Sequence, residues 1–443
     1  MLIETIQRFV DPGSAVKLAA QLEGLVRQGR LPPEALLPPV RELAGVLGVS
    51  PGTAAAAYRQ LQRQGLVHSD GRRGTRVLPQ QSAREYGEAE VPPGVMDLMV
   101  ANPDPALLPD LGPAFARLDA RSDSYGGSHA QPALLERMGE GFRADGVDQR
   151  NMVVLGGAVA TIHRALGVCA APGDRVVVED PGFHDHHDCV RARNMVPVPA
   201  AMDEEGVRPE ALEHALRAGA TAVVLTPRLQ SPTGTAWGRA RAAELKKVLA
   251  GFPEVAVLLD DYAALLADAD YHHILPVAHR RWLVVRHLNK ALAPDLRVAV
   301  AAADAETADR LRRELWLADG WVSGYLQRVA ALALERREVR AAVARARRVY
   351  AARRNALLEA LAARGVKAQG RSGLNVWVPV ADEASAVTGL LRRGYCVRPG
   401  ARYRLLSAPG LRLTTARLPE ERAPRVADAV AEVLRPGPGG RRP

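Results

Sequence analysis

Apolar residues over positions 1–78 recur at helical spacing, interrupted by short breaks. Within this region, Arg41 to Leu47 and Pro51 to Gln64 predict two short helices joined by the turn "GVS" (Gly48 to Ser50). Ser50 suits the N-cap of the second helix, with Pro51 at its first helical position. "GLVHSDGRRGTRV" then predicts two short extended pieces around a turn at Asp70-Gly71. Residues 79–95, "PQQSAREYGEAEVPPGV", are poor in large apolar residues and read as an interdomain linker.

From Met96 the pattern changes. Short β-branched runs alternate with helical stretches rich in Ala, Leu and Arg: "NMVVL" (151–155), "DRVVVE" (174–179), "TAVVLT" (221–226), "EVAVLL" (254–259), "RWLVVR" (281–286) and "RVAVAA" (297–302). Continuous apolar runs between helices predict a buried, mostly parallel sheet in an α/β domain. After about residue 330, long Arg/Ala helices and then shorter mixed elements predict a second lobe. The expected division is a first domain over 1–78, a linker over 79–95 and an α/β domain over 96–435. That domain is expected to split into a large lobe over 96–330 and a smaller α+β lobe over 331–435, with a disordered tail over 436–443.

Composition narrows the class. A hydrophobic content of 47% and a charged content of 24% are those of a globular chain. The net charge of +10 permits nucleic-acid binding, but it is spread out: residues 1–80 hold ten Lys/Arg and six Asp/Glu, net +4, leaving +6 for the rest. Cys169, Cys189 and Cys396 follow no paired pattern, which argues against a disulfide framework or zinc site. No apolar run approaches the ~20 residues of a membrane span, and the N-terminus lacks the basic start and apolar core of a signal peptide. A cytoplasmic location without membrane partners is expected.

The helix pair and basic hairpin suit a winged helix-turn-helix, in which one helix enters the major groove of double-stranded DNA and the wing touches phosphates. Leu37-Pro38, "RELA" from Arg41, "GVS" from Gly48, Thr53, Tyr58, Leu61, "GLV" from Gly65 and Gly74-Thr75 occur in the order of the GntR family of winged-helix regulators, which this module resembles. The resemblance implies DNA contacts at Arg41, Ser50, Thr53, Tyr58, Arg72 and Thr75, and Arg73 shares the wing tip. Pro51-Gly52 stands where many members have Arg after the Ser, so the operator does not carry over from them.

Ligands in open α/β sheets bind beyond the carboxyl ends of the strands. Gly156-Gly157 opens a helix after one strand, a bare-backbone anion cup. Phe183 follows the next, Ser231 lies in "TPRLQSPTG", and Asp260 and Tyr262 lie in "DDY". Lys290 follows the strand "RWLVV" in a chain with only five lysines, Lys17, Lys246, Lys247, Lys290 and Lys367. Arginine stays protonated, whereas a desolvated lysine can lose its proton and form a Schiff base. A lysine, a carboxylate, a phenol, an aromatic face and a glycine-opened helix with an arginine are the ligand set of pyridoxal phosphate.

"NPDPALLP", Tyr125-Gly126, "VVLGGA", "VEDPGF", "TPRLQSPTG", "DDY", "NKALAPDLRVAV" and "APGLRLTTARL" resemble fold-type I aminotransferases. With the winged helix in front, the chain resembles the MocR subfamily of chimeric regulators. That resemblance implies Lys290 as the Schiff-base lysine, Asp260 on the pyridine nitrogen, Tyr262 on the ring hydroxyl and Phe183 stacked on the ring. It also implies Gly157, Ala158 and Arg297 at the phosphate, Ser231 where an Asn usually meets the ring hydroxyl, and Arg412 gripping an α-carboxylate. His287-Leu288-Asn289-Lys290 replaces the family's Ser-x-Ser-Lys, and Val159 and Ala160 replace polar residues, which thins the phosphate site. The run "FHDHHDC" puts His184 and His187 three apart; a solvated helix start outweighs a metal site, and no metal is expected.

The expectation is a homodimeric transcriptional regulator binding an operator, with pyridoxal phosphate or a small amino compound as effector. An active aminotransferase with a vestigial DNA-binding domain, or a regulator that has lost the cofactor, are the alternatives.

Overall fold

The computed structural model describes residues 2–63, 66–69, 74–77, 91–121, 125, 129–277 and 279–435. Arg72, Arg73, Gly126, most of the expected linker and the expected tail lie outside the described residues. Two compact units form, one from residues up to 90 and the other from nearly all of the chain beyond.

The first unit has helices Leu2–Phe9, Ala15–Arg27, Val40–Leu47 and Pro51–Arg63, followed by strands β1 (Val67–Ser69) and β2 (Thr75–Val77). The helical period places Ile6, Leu18, Leu22, Leu43 and Leu61 in one core, each fully buried. Gly48 ends the third helix at φ 63, a left-handed conformation that costs a glycine little and lets the chain turn within three residues. β1 and β2 pair antiparallel with Val67 opposite Val77. Leu36 bridges to Arg76 on the outer side of β2.

The second unit contains strands β3 (Met96–Leu98), β4 (Met152–Leu155), β5 (Arg175–Asp180), β6 (Val196–Asp203), β7 (Gly206–Val207), β8 (Ala222–Leu225), β9 (Ala256–Asp260), β10 (Trp282–His287), β11 (Ala299–Ala303), β12 (Asn375–Pro379), β13 (Tyr395–Pro399) and β14 (Gly410–Thr414). Eight of them make one sheet in the order β4-β11-β10-β9-β8-β5-β6-β7. β5, β8, β9 and β10 run parallel, and β11 is antiparallel to both β10 and β4. Every residue of β8, β9 and β11 is buried, as continuous apolar runs require in a sheet covered on both faces. The chain leaves β4 at one edge and enters β5 far across the sheet, so the loops after these strands diverge and open a crevice at the carboxyl ends.

The smaller sheet has the order β12-β14-β13-β3. It is packed by the 26-residue helix Arg337–Ala362 and the helix Ala423–Leu434 into a core separate from that of the large sheet. Its edge strand β3 comes from more than 270 residues upstream and pairs parallel with β13, Leu98 opposite Val397. Three residues show too little alternation to predict such a strand, so the expected lobe start at residue 96 left this pairing unseen.

Candidate functional site

The loops after the strands of the large sheet bring several of the expected site residues near one another. After β4, Gly157 caps the helix Ala158–Cys169 at φ 141, with no side-chain cap hydrogen bond at this helix start. A Cβ at Gly157 would stand 2.9 Å from Nη2 of Arg297. The glycine thus lets a guanidinium approach a helix start, and together they form a cup for an anion. Ala158 is buried at the first turn.

After β5, Phe183 begins the helix His184–Ala192. One turn on, His186 is 2% exposed and its Nε2 lies 2.8 Å from Oδ2 of Asp260, at the end of β9. Burial works against the protonated imidazole, but the hydrogen bond and charge of Asp260 outweigh it and hold His186 above its ordinary pKa. Asp260 is itself 2% exposed, and its other oxygen is buried without a hydrogen-bond partner among the described residues. Tyr262 donates its hydroxyl to the Leu229 carbonyl at 2.9 Å, and burial raises its phenol well above the usual range.

Lys290 lies in the turn after β10, with Nζ donating to Ala101 O at 3.2 Å and to Asn102 Oδ1 at 3.0 Å. His287, at the end of β10, sits 5.9 Å from the Tyr262 ring. Burial, then the charges of Lys290 and Arg297, push its imidazole down to about 3, so it is neutral at physiological pH. Its Nδ1 is buried without a partner among the described residues. From β14, Arg412 is 6% exposed, donates through Nη2 to Met99 O and lies 5.2 Å from the Tyr403 ring. No carboxylate among the described residues pairs with it, its Nε is unpartnered, and burial lowers its pKa. Tyr403 adjoins His184, which adjoins Phe183, at 5.3 and 5.0 Å between ring centroids.

Residues that sequence reasoning missed hold these loops. Glu179 accepts from Thr226 N at 3.0 Å and from Gln230 Nε2 at 3.1 Å, and Gln230 Oε1 accepts from Thr233 N at 3.0 Å. This network carries the loop of Ser231, which is 7% exposed, and of Leu229, whose φ of 54 is strained for a branched residue. Asp180 accepts from the amides of Leu405, Leu406 and Ser407, anchoring the Tyr403 loop to the end of β5. His186 had a legible signal: it stands three residues after Phe183 on a helix, hence on the same face. The pairing of His184 with His187 does not form, because His187 Nε2 meets Glu179 O at 3.1 Å. His184, Asp185 and Asp188 instead bring one ligand atom each within 4.8 Å of one another.

In the first unit, Arg41 is exposed on the third helix. Ser50 caps the fourth helix by accepting from Thr53 N at 3.0 Å, and its hydroxyl meets that of Thr53 at 2.9 Å. Thr75 bonds Ser69 across the hairpin at 2.9 Å. Tyr58 departs from the expected DNA contacts: it is 4% exposed and donates to Pro38 O at 2.8 Å, a core residue that ties its helix to the chain before the third helix.

Residues 93–430 match the aminotransferase class I and II family, and residues 14–77 match the bacterial regulatory proteins of the gntR family. The chain belongs to the class I and II aminotransferase family and, with its gntR-family domain, is a transcriptional regulator of the MocR type. It is 37% identical over 432 residues to the vitamin B6 salvage pathway transcriptional repressor PtsJ of Salmonella typhimurium, covering 96% of this chain and 100% of that one. It is 28% identical over 260 residues to the pyridoxine biosynthesis transcriptional regulator PdxR of Corynebacterium glutamicum, 55% of each chain. The kynurenine aminotransferase of Pyrococcus horikoshii shares the fold, with a TM-score of 0.70 and 20% identity over 77% of this chain and 91% of that one. No helix among the described residues is long and apolar enough to cross a membrane.

Burial pushes Glu179 up to about 7 from an ordinary 4.5, so its share of stability is complete below pH 4.5 and lost as pH rises through 7. Glu179→Gln should flatten thermal stability across that window, removing up to roughly 3 kcal/mol of pH dependence; an unchanged melting profile would show that Glu179 ionises freely in the folded chain. Tyr58→Phe should cost about 1 kcal/mol in denaturant unfolding of the first unit and leave operator affinity within about twofold, whereas a base or phosphate contact would lose more.

Proposed function

We propose that this regulator binds pyridoxal phosphate in the crevice, uses it as the signal and controls vitamin B6 genes as a homodimer on an operator. The full-length similarity to a vitamin B6 salvage repressor supports the target, and the donor set supports the ligand. The observation that carries the reading is Asp260: a buried carboxylate with one oxygen engaged by His186 and the other free to meet a cationic N–H.

The residues fit the group. Gly157, Ala158 and Arg297 would take the phosphate, in a cradle that a Cβ would fill. Lys290 would hold the aldehyde through Nζ, Tyr262 would reach the ring hydroxyl beside the Ser231 loop, and Phe183 would cover a ring face. Bound there, the cofactor supplies an electron-withdrawing ring whose protonated nitrogen draws charge from the carbon attached to nitrogen. His186 keeps Asp260 oriented, so its unpartnered oxygen would accept from a protonated ring nitrogen. Neutral His287 offers one N–H where the family has a hydroxyl, without adding charge to the cup. Arg412, buried without an acidic partner, would take a carboxylate of an amino compound. On the first unit, the exposed Arg41 and Ser50 and the half-buried Thr53 and Thr75 would contact DNA, joined by Arg72 and Arg73, which lie outside the described residues.

Purified protein given pyridoxal phosphate should develop an absorbance band near visible wavelengths that Lys290→Ala abolishes; no lysine-dependent band would sink the cofactor reading. Arg41→Ala should weaken operator binding at least about tenfold and reduce its salt dependence, and unchanged affinity would count against the placing of the third helix on the DNA backbone.

A further inference from the structure

The two cations aimed at a ligand also hold one short stretch of backbone. Lys290 Nζ donates to Ala101 O and Asn102 Oδ1, and Arg412 Nη2 donates to Met99 O. The stretch Met99–Asn102 leaves strand β3, where Asp97 Oδ1 accepts from the amides of Met99 and Val100 at 2.7 and 3.0 Å. At its far end, Asp104 is fixed by the Tyr350 hydroxyl on its amide at 3.0 Å and by Arg353 at 2.9 Å. Met99–Asn102 is therefore a span between two anchored ends, tied midway to the ligand-seeking groups.

We propose that Asn102 is a positioning residue for Lys290, and that Met99–Asn102 reports whether Nζ is a free amine or is bonded to a ligand carbonyl. The proposal rests on the reading of Lys290 above. The reason is a count of hydrogens. An ammonium has three N–H groups, enough for both acceptors. When the neutral amine attacks an aldehyde, a carbon–nitrogen double bond forms, the carbonyl oxygen leaves as water and Nζ gives up both hydrogens to it. A nitrogen double-bonded to carbon then carries one N–H if protonated and none if not. Both hydrogen bonds to the stretch cannot persist, so capture of an aldehyde and tethering of Asn102 compete for one atom. Competition of this kind is a coupling free energy, and it is reciprocal: what loosens the tether favours the ligand, and the ligand loosens the tether. In sequence, β3 follows directly on the connection to the DNA-binding unit, so the hydrogen bonding that changes is that of the chain entering the sensor domain.

The test uses the full-length protein, pyridoxal phosphate and operator DNA, comparing wild type with Asn102→Ala and Asn102→Asp. Removing the acceptor should raise pyridoxal phosphate affinity about fivefold to tenfold. It should also lower the pH at which the Lys290-dependent absorbance titrates, since an acceptor beside the nitrogen favours its protonated form. The pyridoxal phosphate-induced change in operator affinity should shrink in Asn102→Ala. Asn102→Asp, which restores an acceptor and adds charge, should weaken pyridoxal phosphate binding, raise the titration pH and keep the operator response. A merely structural asparagine would move none of these in opposite directions. In wild type, hydrogen exchange of peptides over Met96–Asp104 should rise on adding pyridoxal phosphate, a readout that does not depend on either variant folding. If wild type shows no Lys290-dependent band, both readings fall. If wild type responds while Asn102→Ala matches it in affinity, titration and operator response, or if exchange over Met96–Asp104 does not rise, only the role of Asn102 falls.

Discussion

The site depends on burying a carboxylate that is only half satisfied. Asp260 lies at the end of a strand whose residues are all buried, with one oxygen on His186 and the other without a partner among the described residues. A buried polar atom left without a partner costs on the order of 1–3 kcal/mol, and Arg412 Nε and His287 Nδ1 are in the same position. A core selected for stability alone would pair or remove such atoms. Asp260 and His287 lie at strand ends of the large sheet and Arg412 on β14 of the smaller one, so both sheets contribute open valences to the neighbourhood of Tyr262.

The scaffolding follows from that expense. The loops that carry the open valences are tied by closed networks beneath them, Glu179 with Gln230 and Thr226, and Asp180 with the amides of Leu405 to Ser407. The first network holds the loop in which the strained Leu229 lies. The departures from an aminotransferase, His287 and Asn289 before the lysine, fall in the same place. A neutral imidazole stands there, held uncharged by burial and by the charges of Lys290 and Arg297.

Much of this was legible in the residues. Six apolar runs became six strands of the large sheet, because strands buried on both faces need no alternation to be recognised. The strand-end residues could be named because chain order and the sheet rule together decide where a loop must lie. What was not legible depends on partners distant in sequence. The spacing from Phe183 puts His186 on the same helix face, but only Asp260, 74 residues away, singles it out among its neighbouring histidines. β3 was invisible because three residues carry no period and its partner lies near the other end of the chain. Tyr58 looked like a contact because the motif places it on a DNA-facing helix, but its hydroxyl finds Pro38 inside the unit.

If Lys290 carries the ligand, as proposed, chemistry can locate it among the five lysines. Protein loaded with pyridoxal phosphate, reduced with borohydride and digested, can be searched by mass spectrometry for the added phosphopyridoxyl group. The group should be found on the peptide containing Lys290. Its absence from that peptide, or its presence on Lys246 or Lys247 in place of Lys290, would contradict the account.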